Sequence, residues 1–126
     1  MDVNVLSNKV IGAAIEVRKA LGPGLLESAY EECLCHELCT QNIVCKRQMP
    51  IPLEYKGVKL NCGYRLDVLV DDKLIVEIKS CNSIEPIHKE QLIPYLKLTH
   101  LNLGLIINFN VSILKDGIKR IVYKLK

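Results

Sequence analysis

Three charged residues in the stretch YRLDVLVDDKLIVEIKS, residues 64–80, have types and a spacing that could do chemistry: Asp67, Glu77 and Lys79. Two carboxylates about 4 Å apart repel by roughly 4 kcal/mol at an effective dielectric of about 20, and like charges directly opposite in a sheet are destabilising. A positive partner between them removes that cost. Mg²⁺ is a hard ion, usually held by one or two carboxylates together with a substrate phosphate. Lys79, on the same side as Glu77, could reach that phosphate or an attacking water, and the set would suit metal-assisted phosphodiester hydrolysis. The same residues also read as a solvated strand face on which Arg65 and Lys79 neutralise the acids, because a D-x(9)-E-x-K spacing recurs in unrelated hairpins.

Whether the acids meet depends on strand register. Side chains alternate along a strand. Tyr64, Leu66, Val68 and Val70 share one face, as do Leu74, Val76 and Ile78, and these seven positions are expected on the core side. Arg65, Asp67, Leu69, Ile75, Glu77 and Lys79 take the other face. Pairing Val70 with Leu74 leaves the loop Asp71-Asp72-Lys73, a common hairpin length, and sets Asp67 opposite Glu77. A two-residue loop would set core residues against polar ones, so the apolar pattern rejects it.

The elements around this hairpin follow from periodicity. Leu6, Val10, Ala14, Val17 and Leu21 recur at spacings of three and four and predict a helix over about 5–21, stopped by Gly22-Pro23-Gly24. A second helix is expected over 25–40, with Leu26, Ala29, Tyr30, Cys33, Leu34 and Leu38 as its apolar stripe. Ile43 to Tyr55 carries Pro50 and Pro52 and reads as an edge strand or one broken near Met49. Lys56-Gly57 makes a turn before one long strand, Val58 to Val70. Pro86 suits the first turn of a helix running to about Thr99, which Pro94 should kink or weaken. LNLGLIINF, residues 101–109, reads as a strand covered on both faces. Ile118 to Tyr123, with Lys119 and Arg120, reads as an edge strand. The order α-α-β-β-β-α-β-β points to a mixed α/β fold, a sheet flanked by helices.

Composition bounds the remainder. The 126 residues predict one domain, and 49% hydrophobic content is enough to bury a core without disulfides or metals. A net charge of +3 permits nucleic-acid binding without arguing for it. None of the six cysteines forms a CxxC pair, and no Cys/His set has zinc-ligand spacing. Reduced thiols in a cytoplasmic protein are the reading, with a disulfide or a zinc site as the alternative. Met1–Leu6 contains Asp2 and Asn4 and does not read as a signal peptide. No apolar run reaches the ~18 residues of a membrane span.

Asp67…Glu77-Ile78-Lys79 resembles the D…(D/E)xK core of the PD-(D/E)xK nuclease superfamily. GPGLLESAYEECL contains Gly24-x-x-Glu27-x-x-Tyr30, which resembles the signature of the GxxExxY family within it. MPIPLEYKGVKL, YRLDVLV, IVEIKS, PIHKEQLIPYLKLT and LGLIINF are similar to the same family, in its usual order, so the resemblance runs from about Leu6 to Val122. It implies a restriction-endonuclease-like core and an acidic metal site for Mg²⁺ or Mn²⁺. Carried over by position, Asp67, Glu77 and the carbonyl of Ile78 would ligate the metal, with Glu27 adding a carboxylate, and Lys79 would stabilise the scissile phosphate or orient water. Gln91-x-x-x-Tyr95 resembles the QxxxY motif of RecB-like nucleases, whose side chains approach the substrate; on a helix the two share a face. The family pattern has Pro before the Asp, where this chain has Leu66, a position expected on the core face.

The implied substrate is nucleic acid, with DNA favoured by the QxxxY resemblance. The small chain leaves room for a second copy of itself or a protein partner to set specificity. The alternative is a catalytically inactive nucleic-acid-binding or scaffold module of the same fold; a metal-binding regulator that ignores nucleic acid is a third reading. On the helical wheel Glu27 lies between Leu34 and Leu38, so its carboxylate is expected to face the core; an early-turn glutamate favouring the helix dipole is the other reading. Tyr30 is expected in the core with its hydroxyl near the site. His36 and His88 are expected at the surface.

Overall fold

Asp2 begins the first helix by accepting the backbone N–H of Asn4 at 2.7 Å. This helix, α1 (Val3–Leu21), ends at Gly22, whose φ of 73° is open to glycine at little cost. The computed structural model describes residues 1–124. After α1 come α2 (Glu27–Cys39), β1 (Cys45–Pro50), β2 (Leu53–Tyr55), β3 (Val58–Leu60), β4 (Arg65–Val70), β5 (Leu74–Lys79), α3 (Pro86–Thr99), β6 (Leu103–Asn108) and, beyond a short 3₁₀ turn, β7 (Ile118–Val122).

Five strands form one sheet in the order β1-β4-β5-β6-β7, and β2 and β3 pair as a separate ribbon. β5 and β6 run parallel while the other pairings are antiparallel, so the sheet is mixed. A parallel pair needs a long crossover, and α3 supplies it. Leu6, Val10, Tyr30 and Leu34 of α1 and α2 cover one face, packing with Val68, Val76 and Ile107. Leu92 and Leu96 of α3 cover the other, packing with Leu69, Ile75 and Ile106. This helix comes close to the sheet: a Cβ on Gly104 would lie 2.8 Å from Leu92 Cδ2. The architecture is a restriction-endonuclease-like core, a central mixed sheet between helices. No helix among the described residues is long and apolar enough to cross a membrane.

Several expectations change. The long strand over 58–70 is two strands, because Asn61–Gly63 forms a turn in which the Asn61 side chain accepts the Gly63 N–H at 3.2 Å and Gly63 takes φ 81°. β3 therefore leaves the sheet to pair with β2. The earlier break falls at Ile51-Pro52, not near Met49, which stays paired with Leu66. Pro50 sits at the end of an edge strand, where its missing N–H is tolerated. Tyr64, expected in the core, lies outside β4 and is 45% exposed. The second face of the hairpin is not a solvent face either: Leu69 and Ile75 are buried there beneath α3. α3 runs unbroken through Pro94, which is exposed and flanked by the buried Leu92 and Leu96. The bond that Pro94 cannot make is thus lost on the wet side.

Candidate active site

β4 and β5 pair with Val70 opposite Leu74, around a turn in which Asp71 and Asp72 take φ of 53° and 54°. The last registered pair toward the open end is Val68 with Val76. One step further Asp67 faces Glu77, and the carboxylates enter the ladder themselves. Ile78 donates its N–H to Asp67 Oδ2 at 2.8 Å, and Asp67 donates its N–H to Glu77 Oε1 at 3.4 Å. The hairpin is thereby held at its mouth by side chains.

Both acids point to the α3 side, into a cleft of about 220 Å³ bordered by Arg65, Asp67, Glu77, Lys79, Gln91 and Tyr95. Gln91 and Tyr95 reach it from adjacent turns of α3. Neither Asp67 nor Glu77 forms an ion pair among the described residues. Burial, followed by the neighbouring Asp67 charge, pushes Glu77 up to about 9, and Lys79 offsets this only in part. Burial and then the Glu77 charge raise the Tyr95 hydroxyl as well. This is not a solvated strand face neutralised by its own cations.

The end of β5 is bracketed from the other face of the sheet. Lys79 O accepts the N–H of Phe109 at 2.9 Å. Ser80 donates its N–H to Glu27 Oε2 at 3.1 Å and its hydroxyl to Leu25 O at 2.8 Å. Tyr30 stacks on Phe109 with centroids 4.4 Å apart, and its hydroxyl donates to Gly22 O at 2.6 Å while accepting the Leu25 N–H at 3.1 Å. Gly24, at φ 90°, lies in the loop so clamped.

The structure therefore brings Asp67, Glu77, Lys79, Gln91 and Tyr95 to one cleft and leaves Glu27 outside its lining. Glu27 is exposed at the first position of α2, not turned into the core, and its carboxylate engages Ser80. The Tyr30 hydroxyl serves the α1–α2 loop and not the acids. The Ile78 side chain is fully buried, and its N–H is engaged by Asp67. Among the described residues no group of three or more His, Cys, Asp or Glu side chains is arranged to hold a metal ion. His88, expected at the surface, also borders the cleft, and its Nδ1 accepts the Glu85 N–H at 3.0 Å as a helix cap.

Sequence reasoning gave Arg65 only a charge-neutralising part and missed Glu31. Arg65 borders the cleft with its guanidinium donating to Gln48 O at 3.2 Å, not to an acid. Its position two residues before Asp67 was the available signal. Glu31 is the carboxylate that α2 buries, at 3% exposure, bonded to Arg47 Nε at 3.0 Å and to the Gln48 amide. It lies one helical turn beyond Glu27, on the stripe of Leu34 and Leu38.

A model of the PD-(D/E)XK nuclease superfamily matches residues 4–121. The chain belongs to the PD-(D/E)XK nuclease superfamily. No curated protein and no solved structure matches it significantly. Members of the PD-(D/E)XK nuclease superfamily act on nucleic acid and generally use divalent metal ions. The match spans both the hairpin acids and the α1–α2 bracket.

Proposed function

We propose that this chain is a metal-dependent nuclease of the GxxExxY group that hydrolyses phosphodiester bonds of DNA in the cleft between the β4–β5 hairpin and α3. The observation that carries the reading is the Asp67–Glu77 pair: two adjacent carboxylates, sheltered by α3, with no ion pair to either among the described residues. Burying such a pair costs either like-charge repulsion or, as here, a proton held far above the usual carboxylate range, and a bound cation would remove that cost. The donor set fits the group. Two carboxylates, with the imidazole at the cleft's border, His88, engaged through Nδ1 as a helix cap, suit a hard ion that keeps several waters and takes a phosphate oxygen as a further ligand. When bound, Mg²⁺ or Mn²⁺ would polarise the phosphate and make water a better nucleophile.

In this reading Asp67 and Glu77 hold the ion, with the Ile78 carbonyl beside them. Lys79 and Arg65 place positive charge where it builds on the phosphate oxygens, so their effect is greatest in the transition state. Gln91 and Tyr95 position the strand. Glu27 contributes by fixing Ser80, and through it the backbone of Lys79.

The test is cleavage of single- and double-stranded DNA with Mg²⁺ or Mn²⁺, beside Asp67→Ala and Lys79→Ala. Cleavage by the wild-type chain that both variants lose is the expected result. Equal cleavage by all three would rule the hairpin out as the site. DNA binding with no cleavage would favour an inactive binding module that acts with a partner.

A further inference from the structure

A second groove, of about 390 Å³, opens beside the acidic cleft and shares Gln91 and Tyr95 with it. Leu53 of the β2–β3 ribbon, Ile87 at the start of α3 and Tyr64 line it. Tyr64 does not serve the core. Its backbone is fixed, since Tyr64 O accepts the Ile51 N–H at 2.9 Å, yet its side chain is left 45% exposed by the turn before β4. Ile87 is 52% exposed. The rings of Tyr64 and Tyr95 meet edge to face, centroids 6.1 Å apart at 65°. In that arrangement the edge of one ring meets the face of the other, so the rings are not stacked, and Tyr64 keeps exposed surface at the groove.

The lining of the groove is mostly apolar and aromatic, and Glu90 and Gln91 add a carboxylate and an amide to it. Flat apolar walls with a few hydrogen-bonding groups fit a heterocyclic base. Stacking on an aromatic ring is available to every base, and the polar edge of a base matches carboxylate and amide partners. Because the groove runs into the cleft, a phosphate beside Lys79 and Arg65 has its neighbouring nucleotide at the groove. In a duplex both faces of that base are covered by the stack.

We infer that the Tyr64 groove holds an unpaired nucleobase next to a phosphate in the acidic cleft, so that the protein takes single-stranded nucleic acid in preference to duplex; this rests on the nuclease reading above. Tyr64 then sets substrate class and takes no part in bond cleavage.

The experiment measures binding of a short fluorescent single strand and of the matching duplex to the full chain by anisotropy. Wild type, Tyr64→Ala and Tyr64→Phe are compared, with melting curves and solution mass for each. The expected result is tighter single-strand binding by wild type, a loss of about tenfold in Tyr64→Ala, and retention in Tyr64→Phe, because one lost base stack is worth about that factor. Duplex binding should be equal in all three. Unchanged single-strand affinity in Tyr64→Ala, duplex preference in wild type, or a change of solution mass on removing Tyr64 would each overturn the inference; the last would make the groove a protein interface. Cleavage assays on the same samples separate the two readings. Cleavage indifferent to Tyr64 and to strandedness sinks the groove and leaves the nuclease. Tyr64-dependent single-strand binding without cleavage sinks the nuclease and leaves the groove. Absence of binding to either nucleic acid overturns both.

Discussion

Ile78 donates its backbone N–H to the carboxylate of Asp67 at 2.8 Å. The acid proposed to hold a metal is thus also a structural acceptor at the mouth of the hairpin, and its substitutions should separate the two roles. Asp67→Ala removes the acceptor and leaves the Ile78 N–H unpaired, at a cost of about 1–3 kcal/mol. Asp67→Asn keeps an oxygen there and should melt within a few degrees of wild type. Both should lose cleavage. An Asp67→Asn protein that melts like wild type and still cuts at its rate would remove Asp67 from the chemistry.

Glu77 gives a pH dependence with a definite sign. Its folded value, about 9, lies above the ordinary 4.5, so in that window the folded chain keeps a proton that the unfolded chain has released. The metal-free protein should therefore lose stability as pH rises between those values, by on the order of 1 kcal/mol per unit. Glu77→Gln should flatten the slope and melt higher than wild type at about pH 8, inside that window, while losing cleavage. Melting curves across the window check both statements; a wild-type slope of the opposite sign would contradict the buried, proton-holding Glu77.

Divalent cation should act on the same group in the reverse direction. It favours the ionised carboxylates, so added Mg²⁺ or Mn²⁺ should raise the melting temperature more at about pH 8 than at about pH 6, and chelation should reverse this. Asp67→Asn should abolish the metal-dependent rise. A rise that survives in Asp67→Asn would place the ion elsewhere.

The hairpin acids were legible because strand parity leaves little freedom: once Val70 pairs with Leu74, Asp67 must face Glu77. The cleft itself was not legible. Its roof, α3, depends on a long crossover and on how closely Gly104 lets Leu92 approach. Glu27 was misplaced because a helical wheel gives angle and not depth, and the first residue of a helix lies beyond the packed stripe. Glu31 escaped notice because its partner Arg47 is distant in sequence, on the edge strand. Tyr64 was assigned to the core by an alternation that the Gly63 turn interrupts.

The Glu31–Arg47 pair should show an asymmetric cost. Glu31 is nearly covered, at 4% side-chain exposure, while Arg47 keeps 37%. Arg47→Met leaves a buried carboxylate with only the Gln48 amide and should cost about 3 kcal/mol. Glu31→Gln leaves an arginine that can turn to water and should cost about 1 kcal/mol. Denaturant titrations of the two variants check the order; equal costs would mean that Glu31 is better solvated than its burial indicates.

Glu27 decides between a ligand and a bracket. As a metal ligand it must be charged; as a bracket it need only accept the Ser80 N–H, which it does at 3.1 Å. Glu27→Gln keeps an acceptor oxygen and removes the charge, and Glu27→Ala removes both. The bracket predicts that Glu27→Gln cleaves within a few-fold of wild type, and that Glu27→Ala loosens the end of β5, with faster amide exchange at Ser80 and reduced cleavage. Tyr30→Phe should resemble Glu27→Ala in part, because it releases Gly22 and Leu25 from the loop that also holds the Ser80 hydroxyl. Amide exchange followed by mass spectrometry, with metal-dependence curves for cleavage, separates the cases. If Glu27→Gln is inactive and needs far more metal while exchange at Ser80 is unchanged, then Glu27 acts through its charge and the bracket account fails.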